Sequence, residues 1–301
     1  MIKVNNLSFA YDGTNILKDV NFNESEPVII GLWGRNGSGK TTLMKILSGL
    51  EKPGHGTVEV DGVTPYNNSD AMNHVAFMQE DHPYSDIWNV NDALKFGKEF
   101  NANWDQQLAD DLIDIFQLPR KKKIRNFSTG MKTMITIAIG LASKAPLTIF
   151  DEPSNGLDAH MRKQFYEALL DSYDEHPRTI LLSSHHIEEV EPLCEKIAII
   201  DNNTLMHYEE TEELKNSGVH LSGSVDAVTA FAGSYRILES RKLGKQLNVM
   251  IDAPMTDDLK TRADQAGVMI EKAPFQDYLV NLTKKEAKQN EHAYRSLQCS
   301  Q

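Results

Sequence analysis

The chain has 301 residues, 40% hydrophobic and 25% charged, which suits a globular protein of one large or two modest domains. Its net charge of −12 argues against a nucleic-acid-binding protein, because such proteins present a basic face. Its two cysteines exclude a disulfide framework and fit a reducing cytosol. No apolar run approaches the ~18 to 20 residues of a membrane-spanning helix, so a role at a membrane would need another chain to cross it.

The first 30 residues predict short strands separated by turns, and the run PVIIGLW at 27–33 predicts a buried strand. A Gly-rich loop follows, and then a helix is predicted over 40–50. Residues 86–122 are predicted to be helical throughout, as a smaller lobe inserted between two strands. Further strands are predicted at five apolar runs, namely TVEVDG, HVAFMQ, PLTIFDEP, TILLSSH and KIAIID. Helical stretches separate the last three of these runs, and this alternation predicts a mostly parallel sheet covered by helices.

The pattern changes after residue 210. From Val219 onward the segments read as strand, helix, strand, strand, helix and strand, followed by one more helix. This order predicts a small α+β appendage with a ferredoxin-like fold. A polar tail is predicted from Lys284 to the last residue.

The segment GRNGSGKT at 34–41 matches the phosphate-loop pattern GxxxxGK[ST] and stands between a predicted strand and a helix. Gly34, Gly37 and Gly39 allow a tight backbone turn that aims N–H groups at phosphates. Lys40 adds a cation, and the Thr41 hydroxyl can bind Mg²⁺. The pattern predicts a purine-nucleotide site, without distinguishing ATP from GTP.

Two carboxylates follow the apolar strand LTIF, at Asp151 and Glu152. Because ligands bind beyond the carboxyl ends of parallel strands, we expect both side chains beside the phosphate loop. Asp151 is predicted to hold Mg²⁺, and Glu152 to orient and polarise the attacking water.

Two weaker candidates end other strands. His185 can donate a hydrogen bond to the γ-phosphate, although the adjacent His186 competes for that role. Gln79 ends HVAFMQ and is either a turn residue or a ligand of Mg²⁺ or water.

The stretch NFSTGMKTMITIAIG at 126–140 begins a predicted apolar helix and allows two interpretations. Ser128 can be an ordinary N-cap residue. Alternatively, the helix end, with its free N–H groups and positive dipole end, can face a phosphate.

These motifs, in this order, resemble those of the nucleotide-binding subunit of ATP-binding cassette (ABC) transporters, over about residues 1–210. The resemblance implies an α/β P-loop NTPase core with an antiparallel β subdomain and an inserted helical subdomain at about 80–145. It implies ATP and Mg²⁺ as ligands, and residues 211–301 as an accessory domain. It also implies that Tyr11 stacks on adenine, and that Thr41, Gln79 and Asp151 bind the metal. The remaining predicted ATP-binding residues are Gly34, Arg35, Asn36, Gly37, Ser38, Gly39, Lys40, Thr41 and Thr42.

In this family two subunits enclose each ATP head to tail. The resemblance therefore implies that Ser128, Thr129, Gly130 and Asp158 act on ATP bound by a second subunit, while Lys40, Gln79, Glu152 and His185 act in catalysis. The usual signature LSGGQ reads FSTGM here, so Thr129 and Met131 depart from the family pattern.

The resemblance also implies partners and a place in the cell. The expected partners are a second ATPase subunit and an integral membrane permease, but no nucleic acid, at the cytoplasmic face of the membrane. FSTGMK-like signatures resemble those of bacterial exporter ATPases, so the expected role is export of a hydrophobic or amphipathic peptide, toxin or drug.

Two alternatives stay open from the sequence. One is a soluble ABC ATPase acting on nucleic acid or the ribosome, although such proteins generally carry a long insertion between Gln79 and the signature or a second cassette. A non-hydrolysing binding module would not need Lys40, Asp151, Glu152 and His185 together.

Overall fold

The computed structural model describes residues 1–81, 84–85 and 87–284, and for residue 72 its backbone alone. Two compact units divide the chain, one of residues Met1–Tyr208 and one beginning at Glu209. The predicted division into an ATP-binding domain (1–210) and an accessory domain (211–301) stays a prediction. From residue 285 onward the predicted polar tail lies outside the described residues.

The first unit contains two sheets. Its strands are β1 (Ile2–Tyr11), β2 (Thr14–Glu24), β3 (Ile29–Trp33), β4 (His55–Val60), β5 (Val75–Met78), β6 (Leu147–Phe150), β7 (Thr179–Ser184), β8 (Lys196–Asp201) and β9 (Thr204–Glu210). The larger sheet has the order β5-β6-β7-β3-β8-β9, and its pairs from β5 to β8 are parallel. The smaller, antiparallel sheet has the order β2-β1-β4. The predicted parallel sheet and antiparallel β subdomain are therefore confirmed.

β9 was not predicted from the sequence. It follows β8 after a two-residue turn, in which Asn202 and Asn203 both have positive φ, at 47° and 69°. Asparagine tolerates this conformation, which matches the twist of a tight hairpin. The Asn-Asn pair was the available signal.

Helices surround the larger sheet and form the inserted lobe. They are α1 (Lys40–Leu47), α2 (Val90–Phe100), α3 (Gln106–Ile115), α4 (Thr129–Ala142), α5 (Ala159–Glu175) and α6 (Ile187–Val190). One core joins the two sheets to α1, through fully buried side chains such as Ile2, Ile30 and Met44. Burial of this apolar surface holds in place the end of β3 that leads into the predicted phosphate loop.

The prediction of continuous helix over 86–122 is wrong. α2 ends at Phe100 and α3 begins at Gln106, because a polar side chain bonds to the backbone at the end of α2 and another at the start of α3. Asn101 Nδ2 donates to the Gly97 carbonyl at 2.7 Å, and Asp105 accepts from the Leu108 N–H at 3.0 Å. Such local side-chain bonds compete with helix continuation. No helix within the described ranges is both long and apolar enough to cross a bilayer.

The second unit has its own core. Its elements are α7 (Thr211–Lys215), β10 (Gly218–Ser224), α8 (Val225–Ala232), β11 (Arg236–Leu243), β12 (Gln246–Asp252), α9 (Asp257–Gln265), β13 (Met269–Lys272) and α10 (Phe275–Leu282). The antiparallel sheet has the order β11-β12-β10-β13, which is the ferredoxin-like arrangement predicted from the sequence. Alternate residues of β10 and β12, such as Val219, Leu221 and Val249, face α8 and α9.

Candidate functional site

The phosphate loop connects β3 to α1 and depends on glycine at three positions. Gly37 and Gly39 have φ of +81° and +108°, which other residues rarely adopt. At Gly34, a Cβ atom would lie 2.5 Å from the carbonyl oxygen of Ile200. At Gly39 it would lie 2.8 Å from the carbonyl oxygen of Ile16. Backbone crowding thus explains the spacing of the pattern.

The first turn of α1 is open. Its N-cap is Gly39, which offers no side-chain acceptor, and its first turn holds no acidic residue. The Ser38 hydroxyl is buried, and no other described residue forms a hydrogen bond with it. Free N–H groups and a positive dipole end at such a turn suit a phosphate.

Lys40 turns back over the loop. Its Nζ donates to the Gly34 carbonyl at 2.6 Å and lies 3.7 Å from Glu152 Oε1. Burial lowers the pKa of Lys40, while the carboxylates of Glu152 and Asp151 oppose that shift. The ammonium group therefore lies at the junction of the phosphate loop and the carboxylate pair.

Thr41, in the first turn of α1, meets Asp151, which directly follows β6. Thr41 Oγ1 donates to Asp151 Oδ2 at 3.1 Å, and Ser183 Oγ donates to Asp151 Oδ1 at 2.7 Å. Burial raises the pKa of Asp151, and both hydrogen bonds oppose the shift. Among the described residues no group of three or more His, Cys, Asp or Glu could cage a metal. A hydroxyl beside a carboxylate fits Mg²⁺, which takes few protein oxygens and completes its shell with water and phosphate.

Glu152 is held from two sides. His185 Nδ1 lies 2.8 Å from Glu152 Oε2, and the Glu152 N–H donates to Ser183 Oγ at 2.8 Å. Glu152 has a φ of +49°, an uncommon value for a side chain of its size. The backbone of His186 bonds to Ser184, and its ring lies against that of His185, with centroids 4.0 Å apart and planes tilted by 47°. The structure thus brings His185 to Glu152, a pairing that was not predicted from the sequence.

Ser183 is a site residue that the sequence analysis missed. It is fully buried in β7 and bonds both to the Asp151 carboxylate and to the Glu152 backbone. Its only sequence signal was its position two residues before His185, where alternation along the strand puts both residues on one side.

Gln79 lies at the edge of the same site. It is exposed, and it lines a small cavity whose walls also include Thr129, Asp151 and Glu152. Its neighbour Glu80 accepts a hydrogen bond from Asn155 at 2.8 Å, a link that the sequence did not indicate. Four neighbouring strands thus contribute their carboxyl ends, because β5, β6, β7 and β3 are adjacent.

The cap residues of α4 and α5 form hydrogen bonds within their own helices. Ser128 Oγ accepts from the Met131 N–H at 3.2 Å, and Asp158 Oδ1 accepts from the Met161 N–H at 2.9 Å. Within the described ranges, neither side chain bonds to residues 34–41. The interpretation of Ser128 as an N-cap residue is confirmed.

Gly130 brings the start of α4 against the turn before α5. A Cβ atom at Gly130 would lie 2.5 Å from the Gly156 carbonyl oxygen. Gly156 itself has a φ of +76° and faces the Thr129 methyl group. The two segments therefore meet backbone to backbone, which excludes a larger residue at 130.

Tyr11 lies at the end of β1 and is 41% exposed. Its hydroxyl donates to Glu51 at 2.8 Å, and its ring meets Phe9 edge to face at 4.7 Å. These contacts fix the ring and leave part of it available for stacking.

The sequence also matches known proteins. The family described as ABC transporter matches residues 17–155. The ABC transporter ATP-binding protein YtrB of Bacillus subtilis (strain 168) is 30% identical over 226 residues, covering 75% of this chain and 77% of YtrB. The bacitracin transport ATP-binding protein BcrA of Bacillus licheniformis is 29% identical and covers 71% of each chain.

Solved structures share the fold. The ATP-binding cassette MJ0796 with ADP and phosphate superimposes with a TM-score of 0.62 at 20% identity, covering 70% of this chain and 99% of that one. An ATP-binding subunit of an ABC transporter gives a TM-score of 0.66 at 24% identity, covering 71% and 92%. The family match includes the phosphate loop and the carboxylate pair, and the match to YtrB covers 75% of the chain. The chain therefore belongs to the ATP-binding subunits of ABC transporters, which are the ATPases of these assemblies.

Proposed function

We propose that this chain works as one of two ATPase subunits that power a separate membrane permease, with the site residues in the roles described below. The observation that carries the proposal is the convergence of Lys40, Thr41, Asp151, Glu152 and His185. Hydrogen bonds and one ion pair connect them across three strand ends. A lysine, a hydroxyl, two carboxylates and a histidine that converge in this way suit the binding of phosphates and Mg²⁺ and the transfer of a phosphoryl group to water.

ATP binding is assigned to the phosphate loop and Tyr11. The open first turn of α1 would receive the phosphates, Lys40 would leave the Gly34 carbonyl for them, and Tyr11 would stack on adenine. Thr41 and Asp151, with Gln79 at the rim, would hold Mg²⁺, which neutralises charge on the phosphates when bound.

Glu152 is assigned to the attacking water. The carboxylate accepts a proton from the water. The water oxygen bonds to the γ-phosphorus while the bond between that phosphorus and the ADP oxygen breaks. His185 keeps one carboxylate oxygen in place and leaves its Nε2 free to reach the γ-phosphate. Ser183 holds the backbone of Glu152, so that its uncommon φ is maintained.

Ser128, Thr129, Gly130 and Asp158 are assigned to ATP held by a second copy or a sister ATPase. Among the described residues, neither Ser128 nor Asp158 bonds to the phosphate loop of its own chain through its side chain. The start of α4, with a positive dipole end and a hydroxyl at its cap, suits an anion. Thr129 supplies a hydroxyl where the family has glycine. Met131 cannot make a polar contact there with its side chain.

The permease is expected on the inserted lobe. Trp88, Phe96 and Phe100 form an aromatic ladder, with ring centroids 5.1 and 4.6 Å apart along α2. Phe96 and Phe100 are each 48% exposed, and Ile87 beside the ladder is 67% exposed. A contiguous exposed apolar surface of this kind suits a protein partner. The site would then lie at the inner face of the cell membrane.

Export is the direction that the relatives favour. Among them are a linearmycin resistance protein of Bacillus subtilis, a daunorubicin and doxorubicin resistance protein of Streptomyces peucetius and a lantibiotic transport protein of Streptococcus pyogenes. We propose a hydrophobic or amphipathic peptide, toxin or drug as the exported substrate. These relatives lend no support to the alternative of an ATPase that acts on nucleic acid or the ribosome.

The variant Glu152→Gln tests the site. It keeps the shape but loses the charge that polarises water, so ATP binding is expected to persist while turnover falls by about 10²–10⁴-fold. Phosphate release and equilibrium ATP binding are measured on the same preparation. Glu188→Gln, an exposed carboxylate three residues beyond His185, is the matched control and should hydrolyse at the parent rate. Parent-like phosphate release from Glu152→Gln contradicts the assignment.

The double variant Phe96→Ser/Phe100→Ser tests the permease surface. Retention of the subunit on membranes that contain its permease is expected to fall at least about tenfold, because hot-spot aromatics contribute more than about 1 kcal/mol each. ATP hydrolysis by the isolated subunit should not change. Leu243→Ser/Met269→Ser, in the second unit, removes exposed apolar side chains elsewhere and should retain membrane binding. Equal retention of both variants would refute this surface.

A further inference from the structure

Arg178 is a buried cation at the end of the first unit opposite the phosphate loop. It directly precedes β7 and is 4% exposed. All five of its N–H groups donate hydrogen bonds. The acceptors are Thr148 Oγ1 at 3.3 Å, the carbonyls of Ser172 at 3.1 Å, His176 at 3.0 Å and Leu141 at 3.4 Å, and Ser172 Oγ at 3.1 Å.

No carboxylate among the described residues forms an ion pair with Arg178. Burial lowers its pKa to about 10, so the guanidinium stays charged at neutral pH. Its counter-charge comes from two helix ends. Leu141 is in the last turn of α4, and Ser172 and His176 are at the end of α5. Carbonyl groups at helix C-termini carry partial negative charge, which stabilises a cation there.

The elements that Arg178 joins carry site residues at their opposite ends. α4 begins after Ser128 and α5 after Asp158. β6 supplies Thr148 and leads into Asp151 and Glu152, while β7 follows Arg178 and leads into His185. Helices of 14 and 17 residues are stiff rods about 21 and 25 Å long, so a shift at one end moves the other.

The phosphate loop is outside this set. In the part of the chain that the structure describes, the acceptors of Arg178 lie outside both β3 and α1. Binding of ATP by the loop and the alignment of groups that act on ATP are therefore held by different parts of the unit.

We infer that Arg178 is a positioning residue, whose planar fork sets the mutual alignment of the Glu152–His185 pair and of the two helix starts at Ser128 and Asp158. The inference rests on the roles proposed above for those residues. The hydrogen bonds of Arg178 go to α4, α5 and β6, so it acts through these elements and not on ATP itself. Removal of the Arg178 side chain therefore lowers the rate of hydrolysis per bound ATP and leaves the affinity of the phosphate loop for ATP unchanged.

Two substitutions distinguish the role of the planar guanidinium group, with its five donors, from the role of its charge. Arg178→Met removes both, and Arg178→Lys keeps the charge but cannot bond in five directions. ATP affinity and stoichiometry are measured by calorimetry well below the melting temperature, and kcat is expressed per bound ATP. Arg178→Met is expected to bind ATP within about twofold of the parent and to lose at least about tenfold in kcat. Arg178→Lys should recover part of that loss.

A matched destabilised variant controls for stability alone. Val58→Ala, on the buried face of β4, weakens the core outside the elements that Arg178 bonds to and should keep kcat per bound ATP. If Arg178→Met does not fold, Thr148→Val/Ser172→Ala removes two side-chain acceptors and should lower kcat per bound ATP by a few fold.

Parent-like kcat per bound ATP in Arg178→Met, or in the double variant where Arg178→Met does not fold, overturns the inference. Failure of the proposed function has a different signature. In that case Glu152→Gln hydrolyses ATP at the parent rate, whatever Arg178→Met does.

Discussion

The starts of α1 and α4, both of which we propose to contact phosphates of ATP, are built in two different ways. α1 begins at Gly39 and has no side-chain cap, so its first N–H groups stay open. α4 begins at Ser128, whose hydroxyl accepts from the Met131 N–H. An open end is incomplete without a ligand, whereas a capped end is stable alone. This difference is consistent with the proposed roles, in which α1 binds the ATP of its own chain and α4 contacts the ATP of a second subunit.

Glycine serves a different purpose at each end. Gly39 is required by its backbone conformation, with a φ of +108°. Gly130 is inside helix α4, and what excludes a side chain there is the Gly156 carbonyl, 2.5 Å from an added Cβ. Thus the first end depends on conformation and the second on a close contact.

The largest effect should follow a change at the open end. In Gly39→Ala, strain of about 1–3 kcal/mol adds to a contact of 2.8 Å between the new Cβ and the Ile16 carbonyl. ATP affinity is expected to fall at least about 100-fold, measured by calorimetry. Gly37→Ala is the matched control, since its φ is +81° but no atom lies within 4 Å of the added Cβ. Equal losses in the two variants would mean that the close contact at Gly39 has no role.

A smaller effect is expected at the close contact of α4. Gly130→Ala would push the helix start away from Gly156, so turnover should fall about tenfold while ATP affinity stays within twofold. Steady-state kinetics and ATP binding are compared. Gly233 has ordinary backbone geometry, and an added Cβ would make only van der Waals contacts of 3.5 and 3.8 Å, so Gly233→Ala should behave as the parent does. A loss of ATP affinity in Gly130→Ala would break the distinction between the two ends.

The smallest effect concerns the cap itself. Ser128→Ala removes the acceptor for the Met131 N–H and should lower the free energy of unfolding by about 1 kcal/mol in denaturant titrations. Ser128→Asp keeps a good N-cap acceptor and should restore most of that stability. If Ser128→Ala is as stable as the parent, the Ser128 hydroxyl does not stabilise the start of α4, and the contrast with the uncapped start of α1 is lost.

Much of the site was visible along the chain. The phosphate loop, Asp151 with Glu152, and His185 were identified because each motif has a short spacing and follows an apolar strand. The ferredoxin-like order of the second unit was readable for a similar reason, since its alternating segments are regular. The break between α2 and α3 was missed, because Asn101 and Asp105 terminate helices through bonds that composition does not show.

Short-range patterns thus established which chemical groups this protein carries and in which order. Ser183, the pairing of Glu152 with His185 and the contact between Gly130 and Gly156 depended on the tertiary structure. Arg178 is the clearest case, because its partners Leu141, Thr148 and Ser172 belong to three different elements. Periodicity and motif spacing are local properties of the chain. Contacts between elements distant in sequence form only when packing of the sheet and helices selects one arrangement.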